Sequence, residues 1–591
     1  MANDLAFGAT PTGDGTRFRL WAPTAERVAL AIEGRDEIAC ERDEAGWVDI
    51  HVAGVEAGAR YRYRINGETY VPDPASRFQP DDVDGPSEVV DPDAYRWPSS
   101  GWAGRPWAEA VIYEAHVGTA TPEGTYAALA DRLDDLVATG ITALQLMPLS
   151  SVPGKRNWGY DGVLPYAPED GYGTPADLKR LIDKAHGVGL MVFLDVVYNH
   201  FGPSGNYLPL YAGHMFDEGT PTPWGAAMDV RSARAKPVRE FIIQNALYWL
   251  QEYRFDGLRL DAVHALIDDG AEHVLHELAR RARESVGPDR HIHLIVENEH
   301  NDADLLTRVD GDPKWYTAQW NDDVHHCWHV LLTGETDSYY DAYKDDPADL
   351  LAKSLASGFA YQGEAYGPRD GEPRGTPSAH LPPGAFINFL QNHDQIGNRA
   401  FGERLTVLAD EQKLRMATAC LLLAPQPPML FQGEDHGETN PFLFFCDFTD
   451  PDLQNAVRDG RRREFAAFPQ FAQRINDIPD ATDRETFEQS KTDIGRAGDT
   501  TFVRELLSLR HEHVVPLLRS GWQSAEGHCD DRGVISVVWT FNSAQLQLQM
   551  NLSDEPARVD ATSGKTIYAS AGTEETLLPA STLRFTTEEL S

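Results

Sequence analysis

Hydrophobic positions along this 591-residue chain change period twice and divide it into three parts. Residues 1–95 hold short alternating runs, FRLWAP, RVALAI, WVDIHV and ARYRYRI, separated by Gly, Asp and Pro. A period of two with turn residues between runs predicts a small β-sandwich. The Pro- and Asp-rich stretch 71–87 predicts a loop folded back over a neighbour, and 92–107 a linker. From about residue 110 the runs become continuously apolar and alternate with helical patterns. Eight strands are predicted: AVIYEAHV (110–117), ITALQLMPL (141–149), LMVFLDVVY (190–198), GLRLDAVH (257–264), IHLIVENE (292–299), WYTAQWND (315–322), FINFLQNHD (386–394) and PPMLFQGED (427–435). Amphipathic helices are predicted over 125–140, closed by Gly140, over 174–189, opened by Thr174 and Pro175, and over 237–253. Strands that are apolar on both faces and separated by helices describe a parallel sheet. Eight repeats predict a closed (β/α)8 TIM barrel, assigned here to residues 96–514. Residues 515–591 return to alternating β patterns, GVISVVWTF and AQLQLQMNL, and predict a C-terminal β-sandwich. The expected fold class is therefore α/β, with a catalytic barrel between two sandwiches. Long insertions at 200–236 and 338–385 fall on the C-terminal side of strands 3 and 6, where loops shape a cleft.

Charge narrows the partners. Lys and Arg number 52 against 92 Asp and Glu, a formal net charge of -40. Such a surface repels nucleic acid and anionic membrane and suits a neutral substrate such as a sugar. The hydrophobic fraction of 41% is enough for a sizeable core. Five scattered cysteines (Cys40, Cys327, Cys420, Cys446, Cys529) form no CxxC or metal spacing, which favours a reducing cytoplasm over a disulfide framework. No apolar run approaches the ~18 residues of a membrane span, and the N-terminus lacks signal-peptide character.

The predicted strands deliver acids at their C-terminal ends: Asp195, Asp261, Glu297 and Asp394. In a barrel that end carries the active site. Two facing carboxylates there suit glycosidic bond cleavage, one as nucleophile and one as proton donor, about 5–5.5 Å apart in retaining enzymes. Arg259 lies two residues before Asp261, on the same strand face, where a guanidinium orients the carboxylate and favours its ionised form. The apolar approach to Glu297 and a negative neighbour favour its protonated form. A lone strand-end Asp is more often a cap or loop ligand, and a lone His a satisfied core residue; the joint pattern with Arg259 is not explained that way. A third carboxylate, Asp394 after His393, suits binding of hydroxyls beside the reacting carbon, and Tyr160 offers an aromatic platform.

DVVYNH, GLRLDAVH, the Glu297 strand and FLQNHD resemble, in order, the four conserved regions of the α-amylase family of retaining α-glucan enzymes (glycoside hydrolase family 13). The resemblance implies Asp261 as nucleophile, Glu297 as general acid/base and Asp394 as the transition-state-stabilising carboxylate. It implies Tyr160, Asp195, His200, Arg259 and His393 as residues around the reacting sugar, with His264, the last residue of GLRLDAVH, beside them. Asn199 occupies a position where some of these enzymes hold calcium, without a matching ligand set, and no metal or other cofactor is expected for catalysis. The N-terminal sandwich is similar to a carbohydrate-binding module. Finer motifs, including WGYDGVLPYAPEDGYGTP (158–175), AQWNDDVHHCWHVLLTGE (318–335) and FLQNHDQIGNRAFGERL (389–405), resemble the branch of the family that cleaves the α-1,4 bond next to the trehalose end of maltooligosyltrehalose. That branch implies maltooligosyltrehalose and related α-glucans as ligands, and metabolic coupling to a maltooligosyltrehalose synthase. Trp224, Asp322, Asp323, His325 and the 338–385 insertion are candidates for trehalose recognition. One departure is visible: the family often reads Ser-Asp after the acid, whereas Asn298-Glu299 follows here. The alternatives are a glycogen branching or debranching enzyme of the same family, and a non-catalytic glucan-binding barrel, which would be expected to lack one of the three acids.

Overall fold

Side chains alternate between the two faces of a strand, and in this chain that parity builds the barrel interior. The computed structural model describes residues 6–222, 225–466 and 474–590. Eight short parallel strands run in barrel order: Ile112–Ala115 (strand 1), Ala143–Leu146 (2), Met191–Val196 (3), Gly257–Leu260 (4), His293–Val296 (5), Ala318–Trp320 (6), Phe386–Ile387 (7) and Met429–Phe431 (8). Every residue in them is buried. Strand 8 pairs with strand 1, and a single parallel bridge, Asn388 to Pro428, joins strand 7 to strand 8 and closes the ring.

Ile112, Ala143, Met191, Phe193, Ile295, Trp320, Ile387 and Met429 fill the lower interior. Continuing the same parity two residues upward from Phe193, Ile295 and Trp320 reaches Asp195, Glu297 and Asp322, and from Arg259 it reaches Asp261. The acids thus stand above an apolar plug rather than in a channel. Gly257 carries no side chain because a Cβ there would meet the Phe193 ring at 2.8 Å and the His293 carbonyl at 2.4 Å.

The outer helices follow the predicted punctuation in part. Helix Pro175–Gly187 opens on a capping box between Thr174 and Asp177. The helix predicted over 125–140 is two, Tyr126–Ala130 and Leu133–Thr139, the second ended by Gly140 in the left-handed conformation. Strand 7 is much shorter than predicted. Asn392 accepts hydrogen bonds from the Asp394 and Gln395 amides and starts helix His393–Gly397, so the polar end of the predicted strand is a helix cap and first turn.

The N-terminal part holds a three-stranded antiparallel sheet (Gly8–Pro11, Gly15–Trp21, Trp47–Ala53) and a second sheet centred on Val28–Ile32 and Arg60–Ile65. The predicted fold-back loop is present: Arg77 stacks over Tyr166 and Tyr248, each at 4.7 Å, and donates to the Phe7 carbonyl. A five-stranded antiparallel sheet of residues 522–589 forms the C-terminal part. It packs on helix Pro347–Ser357, and Trp539 donates to the Leu355 carbonyl at 2.9 Å. All five cysteines are unpaired. No helix among the described residues is long and apolar enough to cross a membrane.

Candidate active site

A cleft of about 440 Å³ opens at the C-terminal ends of the strands. Asp261, Glu297, Asp322 and Asp394 line it, with Trp158, Tyr160, His200, His264, Glu299, Asn398 and Phe444. The three acids expected to carry the chemistry are therefore brought together.

Arg259 organises two of them, Asp261 and Glu297, from below. Its Nη1 lies 2.6 Å from Asp195 Oδ2 and 3.0 Å from Asp261 Oδ1, and its Nη2 lies 2.8 Å from Glu297 Oε2. The guanidinium is wholly buried and stacks over Trp320 at 4.0 Å. One planar fork thus sets the spacing of two carboxylates on adjacent strands. Asn199 donates to Asp261 Oδ2 at 2.9 Å and to its backbone carbonyl at 3.0 Å, which fixes the carboxylate from the other side. Ala262 adopts φ 40° in the left-handed region, which non-glycine residues rarely occupy. That turn aims its amide at Glu297 Oε2, 2.8 Å away. Burial raises the Glu297 carboxyl above its usual range; Arg259 opposes this and the charge of Asp261 adds to it.

A second chain of contacts runs from strand 1. Tyr160 donates to Asp195 Oδ2 at 2.8 Å, and its ring stacks on His393 at 5.1 Å. The Nε2 of His393 lies 2.8 Å from the Tyr160 oxygen and its Nδ1 lies 2.8 Å from Glu114 Oε1. Burial alone would lower His393, but Glu114 and Asp394 outweigh it and raise the ring to about 9. Both nitrogens then carry protons and donate. Burial also raises Asp394, against the pull of His393.

Several expected substrate contacts move. Asp195, Arg259 and His393 lie beneath the cleft floor, almost without exposed surface, so they hold the residues that reach the cleft. His325 is fully buried in helix Asp322–Thr333, its Nδ1 2.5 Å from the Leu390 carbonyl and its Nε2 3.0 Å from the Tyr340 hydroxyl, and it does not face the cleft. Asp323 is likewise buried: it binds Arg374 at 2.8 Å and accepts from Asn301 and the Ala360 amide, tying the 338–385 insertion to the segment after strand 5. Trp224 lies outside the described residues. Tyr160, His200, His264 and Asp322 do reach the cleft. Glu114, Ala262 and Asn392 were not singled out from the sequence. A parity signal for Glu114 existed, since it is the one acid in strand 1, two residues on from inward-facing Ile112.

Asp322 makes a stability prediction. Burial, with Glu297 adding, raises its carboxyl to about 8 from an ordinary value of 3.8. Between those values the folded state holds a proton that the unfolded state has released, so Asp322 subtracts stability as pH rises from 4 toward 8. Asp322→Asn is expected to stabilise the protein at pH 7 by on the order of 1–3 kcal/mol, cleft water screening the rest. It should also flatten the pH dependence over that range. Urea unfolding at pH 5 and pH 7 checks this; an Asn variant less stable at pH 7 contradicts it.

Known proteins match the chain throughout. The family described as alpha amylase, catalytic domain matches residues 77–209. Carbohydrate-binding module 48 (isoamylase N-terminal domain) matches 6–92, and a domain of unknown function (DUF3459) matches 522–585. A malto-oligosyltrehalose trehalohydrolase of Deinococcus radiodurans is 41% identical, over 93% of this chain and 90% of its own length. One of Mycobacterium tuberculosis is 39% identical, over 93% and 95%. A crystal structure of a putative alpha amylase from Salmonella typhimurium is 44% identical and covers 99% of this chain and 100% of its own, with a TM-score of 0.94.

Proposed function

Because the chain belongs to the malto-oligosyltrehalose trehalohydrolase family of α-amylase-type glycosidases, we propose that its cleft uses Asp261, Glu297 and Asp394 to release trehalose. The enzyme is a retaining glycoside hydrolase that cleaves the α-1,4 bond next to the trehalose end of maltooligosyltrehalose, leaving a maltooligosaccharide. The observation that carries the residue assignment is the Arg259 fork, which holds the nucleophile and the acid on one group while burial raises the acid's carboxyl above its usual range.

In the first step an Asp261 carboxylate oxygen attacks the anomeric carbon. The glycosidic C–O bond breaks, and the Glu297 proton passes to the leaving trehalose oxygen. In the second step Glu297, now ionised, takes a proton from water; that water's oxygen bonds to the anomeric carbon, Asp261 leaves, and the configuration is retained. Asp394 accepts hydrogen bonds from hydroxyls of the reacting sugar, and Tyr160 presents its ring to the sugar face. The substrate is supplied by a synthase that turns the reducing end of a maltooligosaccharide into an α,α-1,1 linkage, in the cytoplasm where five unpaired cysteines stay reduced.

The test is product identity. Maltooligosyltrehalose should give free trehalose, with plain maltooligosaccharides turned over slowly; new branch points in amylose would overturn the reading. Glu297→Gln adds a finer check. It should slow natural substrate by roughly 10²–10⁴-fold, yet form the glycosyl-enzyme readily from an aryl glycoside whose phenol leaves without protonation. In the unaltered enzyme kcat/KM falls as pH rises through the elevated Glu297 value, and this alkaline limb should vanish in the variant.

A further inference from the structure

At the opposite end of the barrel from the cleft, a cavity of about 1220 Å³ lies between the strand N-termini and the C-terminal sheet. Trp107 and His293 wall it on the barrel side, and Trp522 and Phe541 on the sheet side. Two guanidiniums converge there on one short segment. Arg283 donates to the Trp315 carbonyl at 2.9 Å. Arg308 donates to the carbonyls of Tyr316 at 3.1 Å and Thr317 at 2.5 Å. These bonds leave Arg283 Nη1 and Arg308 Nε without a protein acceptor among the described residues.

Neither arginine has a carboxylate within 4.0 Å among the described residues, and a third lining arginine, Arg290, reaches only Asp256, at 3.9 Å. Of the lining acids, Glu284 pairs with Arg280 at 3.3 Å, and the exposed Asp312 acts on Arg283 and Arg308 only from beyond ion-pair distance. Burial lowers Arg308 to about 10, with the charge of Arg283 pushing it further down and that of Asp312 opposing. Acids outnumber bases 92 to 52 in this chain, so a wall of arginines without ion pairs is against the general trend. Like charges held together in a partly dry wall are costly until an anion joins them.

We propose that this cavity binds a phosphate group between Arg283 and Arg308, an anion site remote from the catalytic cleft. The guanidinium edges left free suit phosphate oxygens. The space beside them, with Trp107 and Trp522, has room for the sugar of a phosphorylated monosaccharide. The site does not depend on the proposed activity, and its test is a binding measurement.

Calorimetric titration with inorganic phosphate and with glucose 6-phosphate, each against sodium chloride at matched ionic strength, reads the site directly. The chloride arm matters because any salt screens a net charge of -40. Saturable heat is expected with the phosphates and none with chloride. Equal affinities identify free phosphate as the ligand; a tighter glucose 6-phosphate identifies the sugar ester. Arg308→Gln should weaken binding by about tenfold or more. Asp312→Asn, a surface change that leaves the fold untouched, should tighten it by about two- to fivefold by removing the one opposing charge. The proposal is overturned if neither phosphate saturates, if folded Arg308→Gln binds unchanged, or if Asp312→Asn has no effect.

Discussion

Asp261→Asn is expected to lower kcat on maltooligosyltrehalose by roughly 10³–10⁵-fold while the unfolding midpoint moves by no more than about 2 °C. The amide keeps the size of the carboxyl and leaves Arg259 its contacts to Asp195 and Glu297. What disappears is the anionic oxygen that must bond to the anomeric carbon. The loss should be the same for an aryl glycoside, because a better leaving group cannot replace a missing nucleophile. This contrast with Glu297→Gln separates the two carboxylates. Trehalose release measured by chromatography alongside thermal unfolding checks it. Turnover within tenfold of the parent would refute the nucleophile assignment.

The largest effect on stability is expected at Arg259. Replacement by Leu keeps most of the volume over Trp320 but leaves Asp195 buried without its cation and Asp261 and Glu297 without their shared fork. Removing one partner of a buried ionic cluster costs about 3–5 kcal/mol. The cost should shrink in acid, where the abandoned carboxylates take up protons. Arg259→Lys keeps a charge but not a planar fork, so it can hold one acid and not both. It should fold with a smaller loss and still lose roughly 10²-fold or more in kcat. Urea unfolding at two pH values together with kcat decides the matter. A Leu variant within 1 kcal/mol of the parent, or a Lys variant of near-normal rate, would contradict the role given to this residue.

How much of this was visible in the sequence depends on distance along the chain. The acids at strand tops were legible because parity within a strand is local: Arg259 and Asp261 are two residues apart and must share a face. The barrel was legible because its buried strands are continuously apolar. Features made by distant partners were not. His325 looked like a polar cleft residue, yet its acceptor is the Leu390 carbonyl, on a segment 65 positions away. Asp323 sits beside Asp322 in sequence and faces the opposite way, into Arg374. Glu114 gains its meaning only from His393, 279 residues later. The left-handed turn at Ala262 left no trace at all, since alanine is not the residue such a turn selects. Strand 7 is shorter than the pattern predicts because residues 388–390 stay buried on the way to the Asn392 cap without continuing the sheet.

The pairing of strand 8 with strand 1 has a consequence for biosynthesis. Ile112 needs Met429 beside it, and Tyr113 needs Leu430. During translation the outer edge of strand 1 emerges with its hydrogen-bonding groups and apolar side chains bare, and it stays so until nearly three quarters of the chain has been made. Nascent chains stalled before residue 429 should therefore bind hold-type chaperones and aggregate, whereas chains stalled after the C-terminal sheet should not. Closing this ring is a late event that joins the two ends of the barrel segment, so folding is expected to be slow for the stability achieved.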